Sequence, residues 1–483
     1  MARDLRLHVL VTSMARGDVF IADLAMQVLT KPLRTVGEIR YRQAVVGDCL
    51  GNRGVIRAMY TLATGAIEGE RRIWGAGMRS PELILSRSIE VLELLLAALE
   101  DLRRQSVESR GGFASPGFAA FIAQLDELVD DAFLATARGH LAELRDRRIH
   151  VSARLGPGNR GVAYVLHRRP AATGRWRTAV KQTARRGQTL KVLLSDQNAM
   201  NTLAEVRAQA IAPAAAALTQ SAGHMLAFFS LLRQELGFYL GCVNLHEDLG
   251  QTATPTCMPA PVGDALAAHS FRGLRDSALA IVGGKPVVGS DADAAAMPLA
   301  VITGANGGGK STLLRAVGLA QVMMQAGMFV TADAFTAGLR STVLTHFTRE
   351  EDPSLERGKL ADELDRLSAL IDEATPDSLV LLNESFACTS EREAADIALQ
   401  VTSALVDSGV RVWFVTHLQQ YAATMRRDAR WPVLFLQPEL DVNGRRTFRI
   451  TLAPAASDSH GADLYQKVFG APLADARSDT VAR

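Results

Sequence analysis

The chain of 483 residues is long enough for two or three domains of ordinary size. Hydrophobic residues make up 48% of it and charged residues 22%, while 53 basic side chains nearly balance 51 acidic ones. This composition is typical of a folded soluble protein, and it excludes a chain that is basic or acidic along its whole length.

The cysteines and the apolar runs indicate the compartment. The four cysteines include no CxxC pair, which excludes a zinc finger or a disulfide framework and favours a reducing environment. The apolar part of the N-terminal segment is too short for a signal peptide, and no apolar run reaches the roughly 18 residues of a membrane span. We therefore predict a cytoplasmic protein without a membrane segment.

Three long helical stretches are predicted in the first half of the chain. The first begins at Ser80-Pro81-Glu82, where a hydroxyl N-cap, a proline and an acid start a helix. The second covers about 118–148, and the third covers about 198–239 with a predicted kink at Pro213. This pattern favours a helical bundle or a coiled-coil arm. The first helix carries an apolar stripe at spacings of four and three: Leu85, Ile89, Leu92, Leu96 and Leu99.

A small β insertion, at about 149–192, is predicted between the second and third helices. Ile149–Leu155 and Val162–His167 have strand patterns, and a Gly/Pro/Asn turn separates them. A further short strand is predicted near Arg177–Lys181.

The near-neutral net charge of +2 conceals two opposed blocks. Residues 151–200 hold ten basic side chains and one acid, whereas residues 351–400 hold thirteen acids and four bases. A solvated face and a surface that binds a phosphate backbone are about equally good interpretations of the basic block; the interleaved Tyr164 and Trp176 favour the second. The arginines proposed to contact a DNA backbone are Arg168, Arg169, Arg175, Arg177, Arg185 and Arg186.

A Thr/Pro-rich segment without periodicity, residues 249–263, is interpreted as a linker. Strand and helix patterns alternate after it, as expected of a parallel α/β sheet. These segments are Leu279–Val282, Leu299–Thr303, Leu313–Ala326, Leu379–Leu382, Glu391–Asp407 and Val410–Thr416.

The most specific motif follows the apolar strand 299–303 and precedes a helical pattern. Residues 304–311, GANGGGKS, match GxxxxGK[ST] in full. The motif predicts that backbone N–H groups surround the phosphates of a nucleotide such as ATP, that Lys310 reaches the β- and γ-phosphates, and that the Ser311 hydroxyl binds Mg²⁺. The predicted nucleotide-binding residues are Gly304, Ala305, Asn306, Gly307, Gly308, Gly309, Lys310, Ser311 and Thr312.

Three further residues, at the ends of two strands, complete the predicted site. A buried strand ends in Asn383-Glu384, where phosphate-loop ATPases usually carry Asp-Glu. Glu384 is predicted to act as the general base, and both residues are predicted to act on Mg²⁺ through water, although Asn383 adds no charge. His417, at the end of another strand, is predicted to sense the γ-phosphate or to orient water; on its own, a single histidine is more often structural.

At this point the order of motifs resembles the MutS family of ATPases. The similarity is strong over about 300–420 and weak before 250, and the chain lacks the LSGGQ-type segment of transporter ATPases. The segments that carry it are Lys31–Leu33, Glu38–Gln43, Gly327–Val330, Leu344–Phe347, Glu350–Leu364, Leu379–Glu384 and Thr416-His417.

The resemblance implies a fold class of α + α/β. It combines a helical core and lever region with the β insertion over 1–255 and a phosphate-loop, ABC-type α/β ATPase domain over 264–483. It also implies a homodimer, closed by ATP, that grips DNA. In the family a mismatch-recognition domain precedes the core; here the core begins near residue 20, so we expect a member without that domain.

One loop departs from the family pattern. Gly358 and Lys359 stand where family dimers place a Ser-Thr pair that reaches the partner's γ-phosphate. Lys359 or Arg357 is hypothesised to supply a positive charge there instead, and a solvated loop is an equally good interpretation.

Two rival functions remain open on the sequence alone. Asn383 and the missing recognition domain favour a nucleotide-gated scaffold that hydrolyses ATP slowly or not at all and binds a protein. A phosphate-loop ATPase of the SMC type is the third interpretation, but it needs much longer heptad arms.

Overall fold

A computed structural model describes most of the chain. The described residues are 1–73, 80–145, 150–157, 161–167, 197–264, 268–348, 359–386, 389–428 and 430–453. They form two compact units, one of Met1–Gly51 with Gly237–Arg483 and one of Asn52–Leu236. This division differs from the predicted domains 1–255 and 264–483, which remain a prediction.

Helices fill the first half of the chain, and they alternate with strands in the second. The helices are α1 (Leu7–Ala15), α2 (Val19–Thr30), α3 (Val36–Gly51), α4 (Arg53–Arg72), α5 (Pro81–Glu108), α6 (Pro116–Leu128), α7 (Asp131–Arg145), α8 (Gln197–Gln251), α9 (Ser277–Gly283), α10 (Lys310–Gln325), α11 (Lys359–Glu373), α12 (Glu391–Asp407) and α13 (Gln419–Asp428). The strands are β1 (His150–Leu155), β2 (Gly161–His167), β3 (Ala260–Val262), β4 (His269–Leu274), β5 (Ser290–Asp293), β6 (Leu299–Ile302), β7 (Ala334–Gly338), β8 (Val343–Phe347), β9 (Leu379–Asn383), β10 (Arg411–Val415), β11 (Val433–Leu440) and β12 (Arg446–Leu452).

Helix α5 confirms the first predicted helix. Pro81 occupies its first turn with Glu82, and Ser80 takes the N-cap position, although its side chain makes no capping hydrogen bond. The five residues of the predicted stripe are all buried. The periodicity therefore identified the face that packs inside this unit.

The prediction of one helix over 118–148 is wrong. The segment forms α6 and α7, and residues 129 and 130 separate them. The cause is local: the Asp130 carboxylate accepts a hydrogen bond from the Phe133 N–H at 2.6 Å, which is the bond of an N-cap. An apolar pattern that continues across such a cap conceals the break.

The predicted third helix forms part of α8, which contains Pro213 and continues to Gln251. Residues 204–251 are long and apolar enough to cross a membrane by length and composition alone. A core helix of a soluble protein passes the same test, and Phe238, Cys242 and Leu245 of α8 lie in a hydrophobic core. This single match is therefore a weak indication, and the absence of a membrane segment remains a prediction.

The β insertion is confirmed where the structure describes it. β1 and β2 pair antiparallel, from His150 opposite His167 to Leu155 opposite Gly161. The strand predicted near 177–181 and the six arginines proposed to contact DNA lie outside the described residues.

The second half contains the predicted parallel sheet, with one antiparallel edge strand. Its order is β12-β11-β6-β10-β9-β8, and only β12 runs antiparallel to its neighbour among these strands. A four-stranded mixed sheet of order β3-β7-β4-β5, which was not predicted, belongs to the same unit. Of the six segments predicted there, Leu279–Val282 lies in helix α9.

The central strands are buried on both faces, and alternate residues serve two cores. Leu299 and Val301 of β6 pack with residues of α11, α12 and α13. Ala300 and Ile302 of the same strand face a larger core built from α1, α2, α10 and the C-terminal part of α8. This arrangement fixes the carboxyl ends of β6, β9 and β10 along one edge.

The predicted linker at 249–263 is partly wrong. Pro261 lies in β3, which pairs in parallel with β7. Cys257 and Val330 also exchange two backbone hydrogen bonds of 2.9 and 3.0 Å. The Thr/Pro-rich composition indicated a loop because proline is rare inside sheets, but β3 is an edge strand, where proline is tolerated.

A buried ion pair joins α10 to the start of α9, and its loss is expected to be costly. Arg315 Nε donates to Asp276 Oδ2 at 2.6 Å, and Asp276 Oδ1 accepts from the Leu279 N–H at 3.0 Å. Since Asp276 is 1% exposed, Asp276→Ala leaves the Arg315 charge unpaired and should lower the free energy of unfolding by about 3–5 kcal/mol. Urea denaturation measures this loss.

The matched control is Asp428→Ala, which breaks the exposed Arg427–Asp428 pair. This substitution is expected to leave the free energy of unfolding unchanged, because exposed ion pairs contribute little to stability. If both substitutions lowered the free energy of unfolding by the same amount, the prediction that the buried pair is the more stabilising one would be wrong.

Candidate functional site

The glycine-rich loop joins the carboxyl end of β6 to the first residue of α10. Gly304, Gly307 and Gly309 have φ angles of +113°, +69° and +97°, which L side chains rarely adopt. The helix that follows presents N–H groups without intrahelical partners and the positive end of its dipole. This combination of a left-handed glycine loop and a helix N-terminus suits an anion.

Lys310 begins α10, and its side chain folds back over this loop. It is 4% exposed, and its Nζ donates to the carbonyl oxygens of Gly304 at 2.7 Å and Ala305 at 3.1 Å. Burial lowers the pKa of Lys310, while the nearby Glu384 carboxylate opposes this shift. The ammonium group thus lies at the loop in a position where an anion would stabilise it.

Ser311 and Asn383 meet beside Lys310. The Ser311 hydroxyl donates to Asn383 Oδ1 at 2.8 Å, which joins α10 to the last residue of β9. Mg²⁺ prefers oxygen ligands and is commonly held by one or two protein groups together with phosphates and waters. These two oxygens fit that arrangement, although among the described residues no group of three His, Cys, Asp or Glu side chains could itself hold a metal.

Glu384 and His417 form a pair at the same edge. His417 Nε2 lies 3.1 Å from Glu384 Oε1, and this hydrogen bond is the main cause that lowers the pKa of Glu384. Since Nε2 donates to this carboxylate, it cannot also accept from Lys310 Nζ, 3.4 Å away. A half-exposed carboxylate kept ionised in this way can accept a proton from water.

Glu384 has a left-handed backbone, with φ +54°, and its neighbours hold it there. Its N–H donates to the Val415 carbonyl at 2.8 Å. The Thr348 hydroxyl lies 2.9 Å from the Glu384 carbonyl, to which it donates. His346 Nδ1 lies 2.7 Å from the Ser385 hydroxyl, so the residue after Glu384 is held as well. Backbone strain of this kind is common where a side chain must be aimed.

Glu363 of α11 is part of the same support. Its Oε1 accepts the Phe386 N–H at 2.7 Å, and its carbonyl lies 3.3 Å from His346 Nε2. Sequence reasoning missed Glu363, His346, Ser385 and Thr348 as contributors to the site. The segments that contain His346 and Glu363 were noted for family similarity, but nothing in the spacing of the four residues indicates these contacts.

The structure thus brings together the predicted site residues Lys310, Ser311, Asn383, Glu384 and His417. Thr312 follows in the first turn of α10. Arg357 and Gly358 lie outside the described residues, as does the side chain of Lys359, so the hypothesis of a positive charge supplied across a dimer remains untested.

The β11–β12 hairpin, which the sequence did not connect with the site, packs against the loop. A Cβ at Gly304 or Gly308 would lie 2.7 or 2.6 Å from the Pro438 ring. One at Gly309 would lie 3.0 Å from the Phe448 carbonyl oxygen. Close packing therefore requires glycine at these three positions, and the φ angles of Gly304 and Gly309 require it as well.

Comparison with known proteins gives two family matches. Residues 34–252 match the model of the MutS2 N-terminal domain, and residues 300–464 match MutS domain V. The chain belongs to the MutS family, which confirms the resemblance.

Curated relatives give the same assignment. An "Endonuclease MutS2" of Anaeromyxobacter sp. is 29% identical over 373 residues, which cover 69% of this chain and 43% of the relative. A "DNA mismatch repair protein MutS" of Myxococcus xanthus is 34% identical over 176 residues, 36% of this chain and 20% of the relative. The chain thus spans less than half the length of these relatives.

Proposed function

We propose that this protein is an ATPase of the MutS type whose nucleotide state controls how it holds DNA. The observation that carries the proposal is the convergence of Lys310, Ser311, Asn383, Glu384 and His417 on one edge of a parallel sheet, beside the glycine loop. Ligands of open α/β sheets bind at this carboxyl edge. Membership in the MutS family supports the same function.

In the proposed reaction each residue has a separate task. The loop N–H groups and Lys310 bind the phosphates of ATP, and Ser311 with Asn383 would hold Mg²⁺. The metal would supply positive charge against the charge that develops on the transferring phosphoryl group. Glu384 accepts a proton from the attacking water, and His417 fixes the orientation of the carboxylate and keeps it ionised.

DNA is the proposed partner, and the basic block at 151–200 is the proposed contact surface. The names of the relatives, which include DNA mismatch repair proteins, support a role in DNA repair or recombination. We further propose that ATP closes a homodimer in the cytoplasm and thereby moves the helical levers. Such coupling requires DNA to bind one nucleotide state more tightly than the other.

Replacing Arg168, Arg169, Arg185 and Arg186 together with glutamine tests the DNA surface. If all four contact phosphates, the slope of log affinity against log salt should become less steep by about 3–4, because each contact releases about 0.9 counterions. Affinity should fall alike for different sequences. Titrations of duplex, single-stranded and branched DNA over a salt series, with and without ATP, measure both quantities.

The control variant has four exposed arginines elsewhere replaced with glutamine, so its charge changes by the same amount. These are Arg392, Arg427, Arg430 and Arg445. An unchanged slope in the first variant, or an equal change in the control, would remove the basic block as the DNA surface.

A scaffold that binds ATP without turning it over is the second candidate. Asn383 favours it, because a neutral amide replaces the charge usually found beside the metal. Steady-state hydrolysis of ATP with Mg²⁺ separates the two functions, and a rate no higher than that of a Glu384 variant would favour the scaffold.

A further inference from the structure

The β11–β12 hairpin, which packs against the glycine loop, carries a cation to which the proposed function assigns no role. Arg446 begins β12 and pairs with Leu440 across the hairpin. Its guanidinium lies over the middle of the loop, since a Cβ placed on Gly307 would be 2.6 Å from Arg446 Nη1. The side chain is exposed, so a ligand can reach it.

Arg446 is held close to a second cation. It makes no side-chain hydrogen bond or ion pair with any residue in the part of the chain that the structure describes. Lys310 Nζ donates to the carbonyl oxygens of Gly304 and Ala305 on this loop, so both cations lie on the same loop. Two like charges beside a helix N-terminus form a site that an anion would stabilise.

We propose that Arg446 is a phosphate-binding residue that contacts the β- and γ-phosphates of ATP held by the same chain. The inference rests on the proposed function and extends it to a residue outside the motif. A planar guanidinium suits phosphate oxygens because it donates two parallel hydrogen bonds.

The position on the loop favours the terminal phosphates over the base. Lys310 reaches the β- and γ-phosphates in loops of this pattern. Its Nζ lies 3.4 Å from Asn306 Oδ1, and Arg446 lies over Gly307, the next residue of the loop. Arg446 therefore supplies within one chain a positive charge of the kind hypothesised for Arg357 or Lys359 across a dimer. Such a charge stabilises the phosphoryl group as it transfers.

The test compares Arg446→Gln with Arg445→Gln in the full-length chain. The two arginines are exposed neighbours on one hairpin, and the substitutions remove the same charge. The Kd of a fluorescent ATP analogue with Mg²⁺ should rise about tenfold or more for Arg446→Gln, since hydrogen bonds to charged groups are among the stronger ones. It should change by no more than about twofold for Arg445→Gln, in which no phosphate contact is lost.

Two further measurements separate binding from folding. The unfolding temperature without nucleotide should be the same for both variants. Arg446→Lys keeps the charge and should recover part of the affinity, a rescue that would not follow if only hairpin packing had been lost.

The outcomes distinguish this inference from the proposed function. If the unsubstituted chain binds no ATP, both are overturned. If it binds ATP and Arg446→Gln binds equally well, or Arg445→Gln loses as much, only the role of Arg446 is overturned. Loss of DNA binding with unchanged ATP binding would likewise overturn it, because Arg446 would then serve another phosphate.

Discussion

Glu384→Gln is expected to lower the rate of ATP hydrolysis by about 10²–10⁴-fold, the usual contribution of a general base. Glutamine keeps the size of the side chain and can still accept a hydrogen bond from His417, but it cannot take a proton from water. ATP affinity should stay within about threefold, because the lost interaction belongs to the transition state. Single-turnover hydrolysis and equilibrium ATP binding measure the two effects separately.

Glu373→Gln is the matched control. Glu373 is an exposed glutamate at the end of α11, and the same change there should leave both quantities unaltered. Hydrolysis by Glu384→Gln at the unsubstituted rate would exclude Glu384 as the base.

Lys310→Met is expected to weaken ATP binding by roughly 30- to 1,000-fold, which corresponds to about 2–4 kcal/mol for the lost charge-assisted bonds to phosphate. The nucleotide-free protein should not become less stable. Burial disfavours the charged form of Lys310, as the lowered pKa indicates, so removing the charge relieves that cost. Calorimetric titration with ATP measures the expected loss of affinity. Thermal unfolding without ATP tests that the stability is not reduced.

The control for this change is Lys285→Met, at an exposed lysine between α9 and β5. It should alter neither affinity nor stability. Unchanged ATP binding in Lys310→Met would mean that the loop does not hold the phosphates of ATP.

The candidate site residues could be proposed from the sequence because their signals are local. The glycine loop, the apolar strand before it and the strand that ends at Asn383-Glu384 each carry a pattern readable within ten residues. The sheet fixes where its parallel strands end, and the structure places these residues along one edge.

The supporting contacts could not be predicted in the same way. His346 and Ser385 lie 39 positions apart, and Glu363 reaches Phe386 from another helix. No periodicity relates such pairs. The position of Arg446 at the glycine loop could not be predicted either. It depends on the register of β12 beside β11 and not on the residues next to Arg446 in the sequence.

The division into units also departed from the sequence pattern. Residues 1–51 look continuous with the helices that follow, yet they pack in one unit with 237–483. A Cβ at Gly318 of α10 would meet Leu5 and Leu381 at 2.6 Å, so the N-terminal segment lies directly on this helix. Such long-range packing depends on shape, which composition does not record.

This packing has a consequence for synthesis of the chain. The ribosome releases residues 1–51 well before the strands and helix that they cover, so Leu7, Leu10 and Met14 stay exposed while almost 200 further residues are made. The inserted unit, Asn52–Leu236, is contiguous and can complete its packing first. Folding of the unit with the candidate site then depends on joining two distant segments, a step that slow translation or a bound chaperone would influence.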